Sequence, residues 1–240
     1  MEIPYSATER GPFCARPIAC GGGEIARGTI RGMYIPPPFR VTDPTLAQAL
    51  IREQPLASLV TTDDAGLPFV SHLPLRLDRT EEGGTLHLLG HLARANPQWQ
   101  HLQARPRAVV TFLGPQAYMS PKVYPDLQRV PTWNYVALHA TVQTTLVHAG
   151  DDKDRLLKCL IADHEPAYAD QWRALAESYT TAMLAGIVGL EMATTEWQLK
   201  VKVNQHRPEA RVALRDACLA GNEQERALAA WIDRVQPPGS

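Results

Sequence analysis

Residues 132–147, TWNYVALHATVQTTLV, alternate apolar and polar character almost without interruption. A period of two places Val136, Leu138, Ala140 and Val142 on one face and Trp133, Tyr135, His139 and Thr141 on the other. This pattern specifies a long strand with one side buried. Further strands read from LASLVTT at 56–62, PFVSHLPLRLD at 68–78, TLHLLGHL at 85–92, RAVVTFLG at 107–114 and IVGLEMATTEWQLKVKV at 187–203. Several connections are short, the first being the turn Asp63-Asp64-Ala65-Gly66, so neighbouring strands run antiparallel. The expectation is an α+β fold with an antiparallel barrel of five or six strands rather than a doubly wound sheet.

Helices punctuate this pattern. Asp43 before Pro44, and Asn96 before Pro97, combine an N-cap with a proline tolerated in the first turn. Helical periods follow at about 151–163 and 171–184. Two more helices close the chain, the last opened by Asn222 with Glu225 at the capping-box position. Residues 115–131, rich in Pro and Tyr, read as a long loop or short edge pieces. Residues 1–32 show no apolar period and read as an unstructured extension, so folding is expected to begin near Met33. The domain reading is therefore a barrel over 33–205 with a helical insertion at about 150–184, and terminal helices over 206–240 packed on it.

Composition narrows the function. With 24 basic and 25 acidic residues in 240, the net charge is −1, which discounts a protein that lives by gripping nucleic-acid phosphates. Cys14, Cys20, Cys159 and Cys218 form no CxxC or ligand quartet, so neither a disulfide framework nor a structural metal site is expected. The N-terminus lacks a basic start and an apolar stretch, and no apolar run reaches membrane-spanning length, so a soluble cytoplasmic protein is expected. No Gly-rich strand-to-helix cradle, HExxH, nucleophile–base pair or catalytic carboxylate pair is present, and no catalytic residue is assigned.

Four segments could hold a ligand. Gly90-His91 through Arg94 and Asn96 join a strand to a helix, where backbone N–H groups beside a cation suit an anion; a plain capped junction with Arg94 in solvent fits equally. His72, Leu73 and Pro74 lie where a strand proline marks an edge or bulge and leaves backbone groups free. Trp133, Asn134 and Tyr135 could stack on a ring, meet a second subunit, or pack in the core. Lys200 and Lys202 share a strand face, with Gln205, His206 and Arg207 at its end, a phosphate-attracting set or a solvated surface.

Taken in order, several segments resemble the PaiB-type family of FMN-binding split-barrel proteins, described as negative transcriptional regulators. The matching pieces are MYIPPPF (33–39), PLASLVT (55–61), SHLPL (71–75), GHLARANPQW (90–99), FLGPQAYMSP (112–121), PTWNY (131–135), IVGLEM (187–192) and KVKVNQHR (200–207). The resemblance implies a six-stranded split barrel and a homodimer with FMN at the subunit interface. It implies that Arg94, the Gly90–His91 turn and Asn96 hold the phosphate, and that His72, Leu73 and Pro74 present backbone to the isoalloxazine rim. Trp133, Asn134 and Tyr135 would complete the pocket from the same or the second subunit, with Lys200, Lys202 and Gln205 as a secondary phosphate set. Two departures stand out: Lys122 and Val123 after the Ser-Pro, and Asn204-Gln205-His206 where the family has Ser-Gln-Asn. The histidine raises heme as an alternative ligand. Either a flavin-dependent oxidoreductase or a DNA-binding regulator is compatible with the resemblance.

Overall fold

We describe residues 32–126 and 128–235 of a computed structural model of the chain; the extension read at 1–32 falls outside the described residues except for Gly32. Eight strands are present among them: β1 (Arg40–Val41), β2 (Leu56–Thr62), β3 (Pro68–Pro74), β4 (Arg76–Thr80), β5 (Leu86–Ala93), β6 (Arg107–Met119), β7 (Thr132–Val147) and β8 (Ile187–Lys202). The helices are α1 (Pro44–Glu53), α2 (Gln98–Ala104), α3 (Gly150–His164), α4 (Tyr168–Ala174), α5 (Glu177–Ala185), α6 (Arg211–Leu219) and α7 (Glu223–Val235). All strand pairs are antiparallel, in the order β3-β2-β6-β7-β8-β5-β4, with β1 also laid against β8.

The strand count is eight where six were expected. The run 68–78 splits because Pro74 has no N–H for a ladder. After it, the Leu75 N–H bonds the Pro55 carbonyl at 2.8 Å, and β4 leaves to pair with β5. The remaining addition is β1, a two-residue strand beside Lys200 and Leu199.

Two bulges shape the barrel. In β6, Gly114 and Pro115 lie between the Leu113–Ala137 and Gln116–Tyr135 pairs. The parity of the strand therefore flips: Ala108, Val110 and Phe112 face inward before the bulge, Ala117 and Met119 after it. That flip hid the second half of β6, where a loop was expected. In β8, the shift between Thr141–Glu196 and Val142–Thr194 does the same, so Leu190 and Met192 join Leu199 and Val201 in one core. Each fully buried Leu contributes about 1.5–3 kcal/mol relative to exposure.

Helices seal the barrel. Asp43 accepts from the Thr45 N–H at 2.8 Å, and Asn222 and Glu225 exchange bonds at 2.7 and 3.1 Å as a reciprocal capping box. α7 buries Trp231 and Ile232, and Glu53 of α1 receives Trp231 Nε1 at 3.2 Å and Arg234 at 2.6 Å.

Where β5 meets the β3–β4 junction, Gly90 permits the approach. A Cβ there would overlap Leu75 Cδ2 and fall 3.2 Å from the Pro74 carbonyl oxygen. Gly90→Ala is therefore expected to lower unfolding free energy by about 1–3 kcal/mol through overpacking. Urea denaturation checks this, and an unchanged midpoint would show that the contact yields freely.

Candidate functional site

Residues paired across an antiparallel ladder point to the same side. Following the register outward-facing, His72 pairs with Ser58, Ser58 with Thr111, Thr111 with His139 and His139 with Gln198. The next row runs from Leu113 through Ala137 to Lys200 and Arg40. A third joins Gln116, Tyr135 and Lys202, and beyond it Tyr118 pairs with Trp133. The structure thus brings His72, Trp133, Tyr135, Lys200 and Lys202 to one outer sheet face. Tyr34, Ser58, Leu113 and Gln116 share that face and went unnoticed in the sequence, because their placement depends on register across several strands.

This face is apolar for an outer surface. Leu56 is 66% exposed and Leu113 56% exposed. Trp133 donates from Nε1 to Gln116 Oε1 at 2.9 Å and meets Tyr118 edge-on, with centroids 6.3 Å apart. His72 Nδ1 lies 3.0 Å from Ser58 Oγ.

Against this background stand two ammonium groups. Lys200 is 7% exposed; its Nζ donates to the Tyr34 carbonyl at 3.0 Å and lies 5.1 and 5.7 Å from the Tyr135 and Tyr34 ring centroids. Lys202 donates to Thr132 Oγ1 at 2.6 Å and the Trp133 carbonyl at 2.7 Å. All these partners are neutral, so the positive charge has no carboxylate beside it among the described residues. Burial pushes the Lys202 pKa down and Lys200 adds to the shift, while Tyr135 opposes it. His139 is likewise held below its usual range by burial and by Lys200. Two partly desolvated cations sharing a field without a counter-ion constitute an anion-binding arrangement.

The β5–α2 junction is built differently. Gly90 and His91 lie inside β5 rather than in a turn; the turn is 94–97. Arg94 donates from Nε to the Ala185 carbonyl at 3.1 Å and from a terminal nitrogen to the Ile187 carbonyl at 3.4 Å, closing the carboxyl end of α5. Buried Lys153 donates to the Leu184 carbonyl in the same place. Asn96 donates to Ser71 Oγ at 2.8 Å and accepts from the Gln98 N–H at 3.0 Å. Buried Gln98 donates to the Leu59 and Phe69 carbonyls at 2.9 and 3.0 Å, tying α2 to β2 and β3. His91 is kept neutral by burial, and its Nδ1 has no partner among the described residues.

The remaining candidates are dispersed. Leu73 faces the core, and Pro74 ends β3, a strand at the end of the sheet order. Asn134 points inward, 1% exposed, donating to Met119 Sδ at 3.4 Å. Gln205 Oε1 accepts from the Val203 N–H at 3.0 Å, folding its amide back onto its own strand. His206 lies edge-on to Phe39, with centroids 5.2 Å apart, at a cleft that Lys202 also borders.

Sequence comparison assigns the class. The family described as "Putative FMN-binding domain" matches residues 33–196, and the chain belongs to that family. The Bacillus subtilis (strain 168) Protease synthase and sporulation protein PAI 2 is 31% identical over 182 residues, covering 74% of this chain and 84% of that protein. Among solved structures, the FAD and heme binding protein from Mycobacterium smegmatis has a TM-score of 0.54 at 18% identity, over 68% of this chain and 73% of that one. The flavocytochrome Anf3 from Azotobacter vinelandii also has a TM-score of 0.54, at 14% identity, over 68% of this chain and 69% of its own. These likenesses show a shared split-barrel fold.

The depressed His139 pKa makes a prediction with a defined sign. The unfolded chain binds this proton as pH falls below about 6.5 while the folded chain resists it. Stability contributed by His139 is therefore present above the unfolded value and lost as pH falls toward the lower folded one. His139→Gln should flatten part of the drop in Tm between about pH 7 and pH 5. Thermal melts across that range check it; parallel curves for the two proteins would reject the assignment.

Proposed function

We propose that this chain is a homodimeric FMN-binding protein in which two copies bury their outer sheet faces against each other, with FMN held in the seam. The observation that carries the reading is the uncompensated pair Lys200 and Lys202 on an exposed apolar face. FMN suits both features: a dianionic phosphate complements the lysines, and a flat ring system complements the aromatic and aliphatic surface. Membership of the FMN-binding family supports the choice of flavin.

The chain's own residues then have definable roles. Lys200 and Lys202 hold phosphate; Trp133 and Tyr135 supply aromatic surface beside them. His72 and the adjoining backbone of β3 offer polar groups along one edge. Arg94, Asn96 and Gly90 act at one remove in this reading, by fixing α5, α2 and β5. A bound flavin supplies one- or two-electron transfer, which the protein tunes through hydrogen bonds and charge. A second subunit excludes water from the face and raises the strength of every charge contact there.

A redox role draws more support than direct DNA binding. Arg211 and Arg215 of α6 bond Asp233 of α7 at 3.2 and 2.8 Å, and Arg234 bonds Glu53. These arginines are thus engaged within the fold instead of forming a free basic stripe.

The test begins with the absorption spectrum of the purified chain and of flavin-free protein titrated with FMN. Flavin bands, one FMN per chain and a solution mass twice the 26.5 kDa of the chain are expected. Lys200→Gln should weaken FMN at least about tenfold, equivalent to about 1.4 kcal/mol. Leu113→Asp should give a folded monomer that has lost flavin. A monomeric wild-type protein with full flavin content would overturn the dimer, and failure to take up FMN would overturn the whole reading. A Soret band in place of flavin bands would favour heme, for which His206 is the candidate ligand.

A further inference from the structure

At the end of the barrel where β8 finishes, a cleft of about 410 Å³ opens between Phe39, the segment after β6, the start of β7 and the loop 203–207. The flavin reading makes no use of it apart from Lys202 at its rim. Several of its polar groups are buried and unsatisfied.

Asn134 and Asn204 both line this cleft, 1% and 6% exposed respectively. Asn134 Oδ1 has no hydrogen-bond partner among the described residues, and neither does Asn204 Nδ2. One is an acceptor and the other a donor, yet no bond joins them. A buried polar group left unpaired costs about 1–3 kcal/mol, so two in one cleft call for an explanation. Asn204 is moreover held in a left-handed conformation, φ 64°, with its Oδ1 fixed by the Tyr124 hydroxyl at 2.9 Å. Among the described residues it is the sole non-glycine in that region of backbone space, a state that persists where surroundings enforce it.

The adjacent charges define a ligand. Arg129 lies over the Tyr124 ring at 4.9 Å, with a terminal nitrogen 2.8 Å from Asp126 and 3.8 Å from Glu209. Its Nε, by contrast, is buried without a partner among the described residues. Counting Lys202, Arg129 and Arg207 against Asp126 and Glu209 leaves a surplus of one positive charge. His206 adds none at neutral pH, because burial and Arg207 outweigh the opposing Glu209 and hold it neutral. The unmet donors, Asn204 Nδ2 and Arg129 Nε, require an acceptor; the unmet acceptor, Asn134 Oδ1, requires a donor. Tyr124, Phe39 and His206 supply ring surface.

We infer that this cleft is a binding site for a small aromatic carboxylate that also carries a hydroxyl or N–H group. The carboxylate meets Asn204 and Arg129, the second group meets Asn134, and a single negative charge matches the surplus. The inference shares Lys202 with the flavin reading, whereas Asn134, Asn204 and Arg129, which make its specific contacts, take no part in that reading.

Calorimetric titration of the full-length chain, with and without added FMN, tests it using 4-hydroxybenzoate as probe. Submillimolar binding is expected without FMN, and weaker binding with it, because the flavin phosphate then shares Lys202. 4-Hydroxybenzamide, which lacks the charge, should bind at least about tenfold more weakly, and benzoate, which lacks the donor, several-fold more weakly. Asn204→Asp should weaken 4-hydroxybenzoate at least about tenfold by placing like charges together. Asn204→Gly, which keeps the left-handed backbone accessible and removes only the amide, should do so too, and covers the case in which the aspartate variant does not fold. Absence of binding at 10 mM (roughly the weakest affinity a specific site would show) would overturn the inference. So would equal affinity in folded Asn204→Gly, or 4-hydroxybenzamide binding as tightly as the acid. Because flavin-free protein is one arm, failure of FMN uptake and failure of this site are read separately.

Discussion

The ladder between β7 and β8 fixes everything else in this molecule. It runs from Tyr135 opposite Lys202 to Val147 opposite Gly189, and its period of two decides which side chain is core and which is surface. A slip of one residue would turn Val136, Leu138, Leu199 and Val201 outward and drive Tyr135, Lys200 and Lys202 into the barrel. Burying two ammonium groups without partners would cost several kcal/mol each, so the same lysines that mark the candidate site also enforce its register. The bulge at Thr195 corrects the remaining mismatch, letting the first half of β8 bury Leu190 and Met192.

That arrangement also explains how Lys200 is tolerated where it is. It is nearly enclosed, and its stabilisation comes from the Tyr34 carbonyl and two aromatic rings instead of a carboxylate. Cation–π contacts of this kind contribute about 0.5–2 kcal/mol each and leave the charge itself unneutralised. An aspartate in the same place would hold Lys200 more firmly and cancel the field that an anion needs. The tyrosines position the cation and preserve its charge for a ligand; burial first, with Lys200 adding to it, holds Lys202 and His139 below their ordinary ranges.

Legibility in the sequence followed the length of uninterrupted period. β7, β2 and the capping signals at Asp43 and Asn222 were readable because local pattern and tertiary role agree. The second half of β6 was not, since the Gly114-Pro115 bulge reverses parity and Pro115 reads as a breaker. β4 merged with β3 for the opposite reason: Leu73, Leu75 and Leu77 keep one parity through a break in pairing that only Pro74 hints at. The outer face was half legible. Lys200, Lys202, Tyr135 and His72 could be chosen by residue type, whereas Leu113, Ser58 and Tyr34 join them only through the register of several strands. The family resemblance named the ligand class, but no spacing argument could show that Lys200 lacks a counter-ion among the described residues.

Satisfied and unsatisfied polar groups then separate Arg94 and Asn96 from Asn134 and Asn204 more sharply than residue type does. By type alone, Arg94, Asn96, Asn134 and Asn204 are equivalent suggestions of a ligand. In the structure, Arg94 closes the last turn of α5 and Asn96 bridges Ser71 to the start of α2, so each already has the partners its chemistry requires. Their removal would expose helix ends and disturb how β5, α2 and α5 fit together. Among the described residues, Asn134, Asn204 and Arg129 retain unmet donors and acceptors inside a cleft, and the two lysines retain an unmet charge on a face. A folded chain tolerates such deficits at a cost comparable to a sizeable fraction of its net stability. The physical argument for function in this protein accordingly rests on incomplete interactions, and the completed ones explain why the incomplete ones stay where they are.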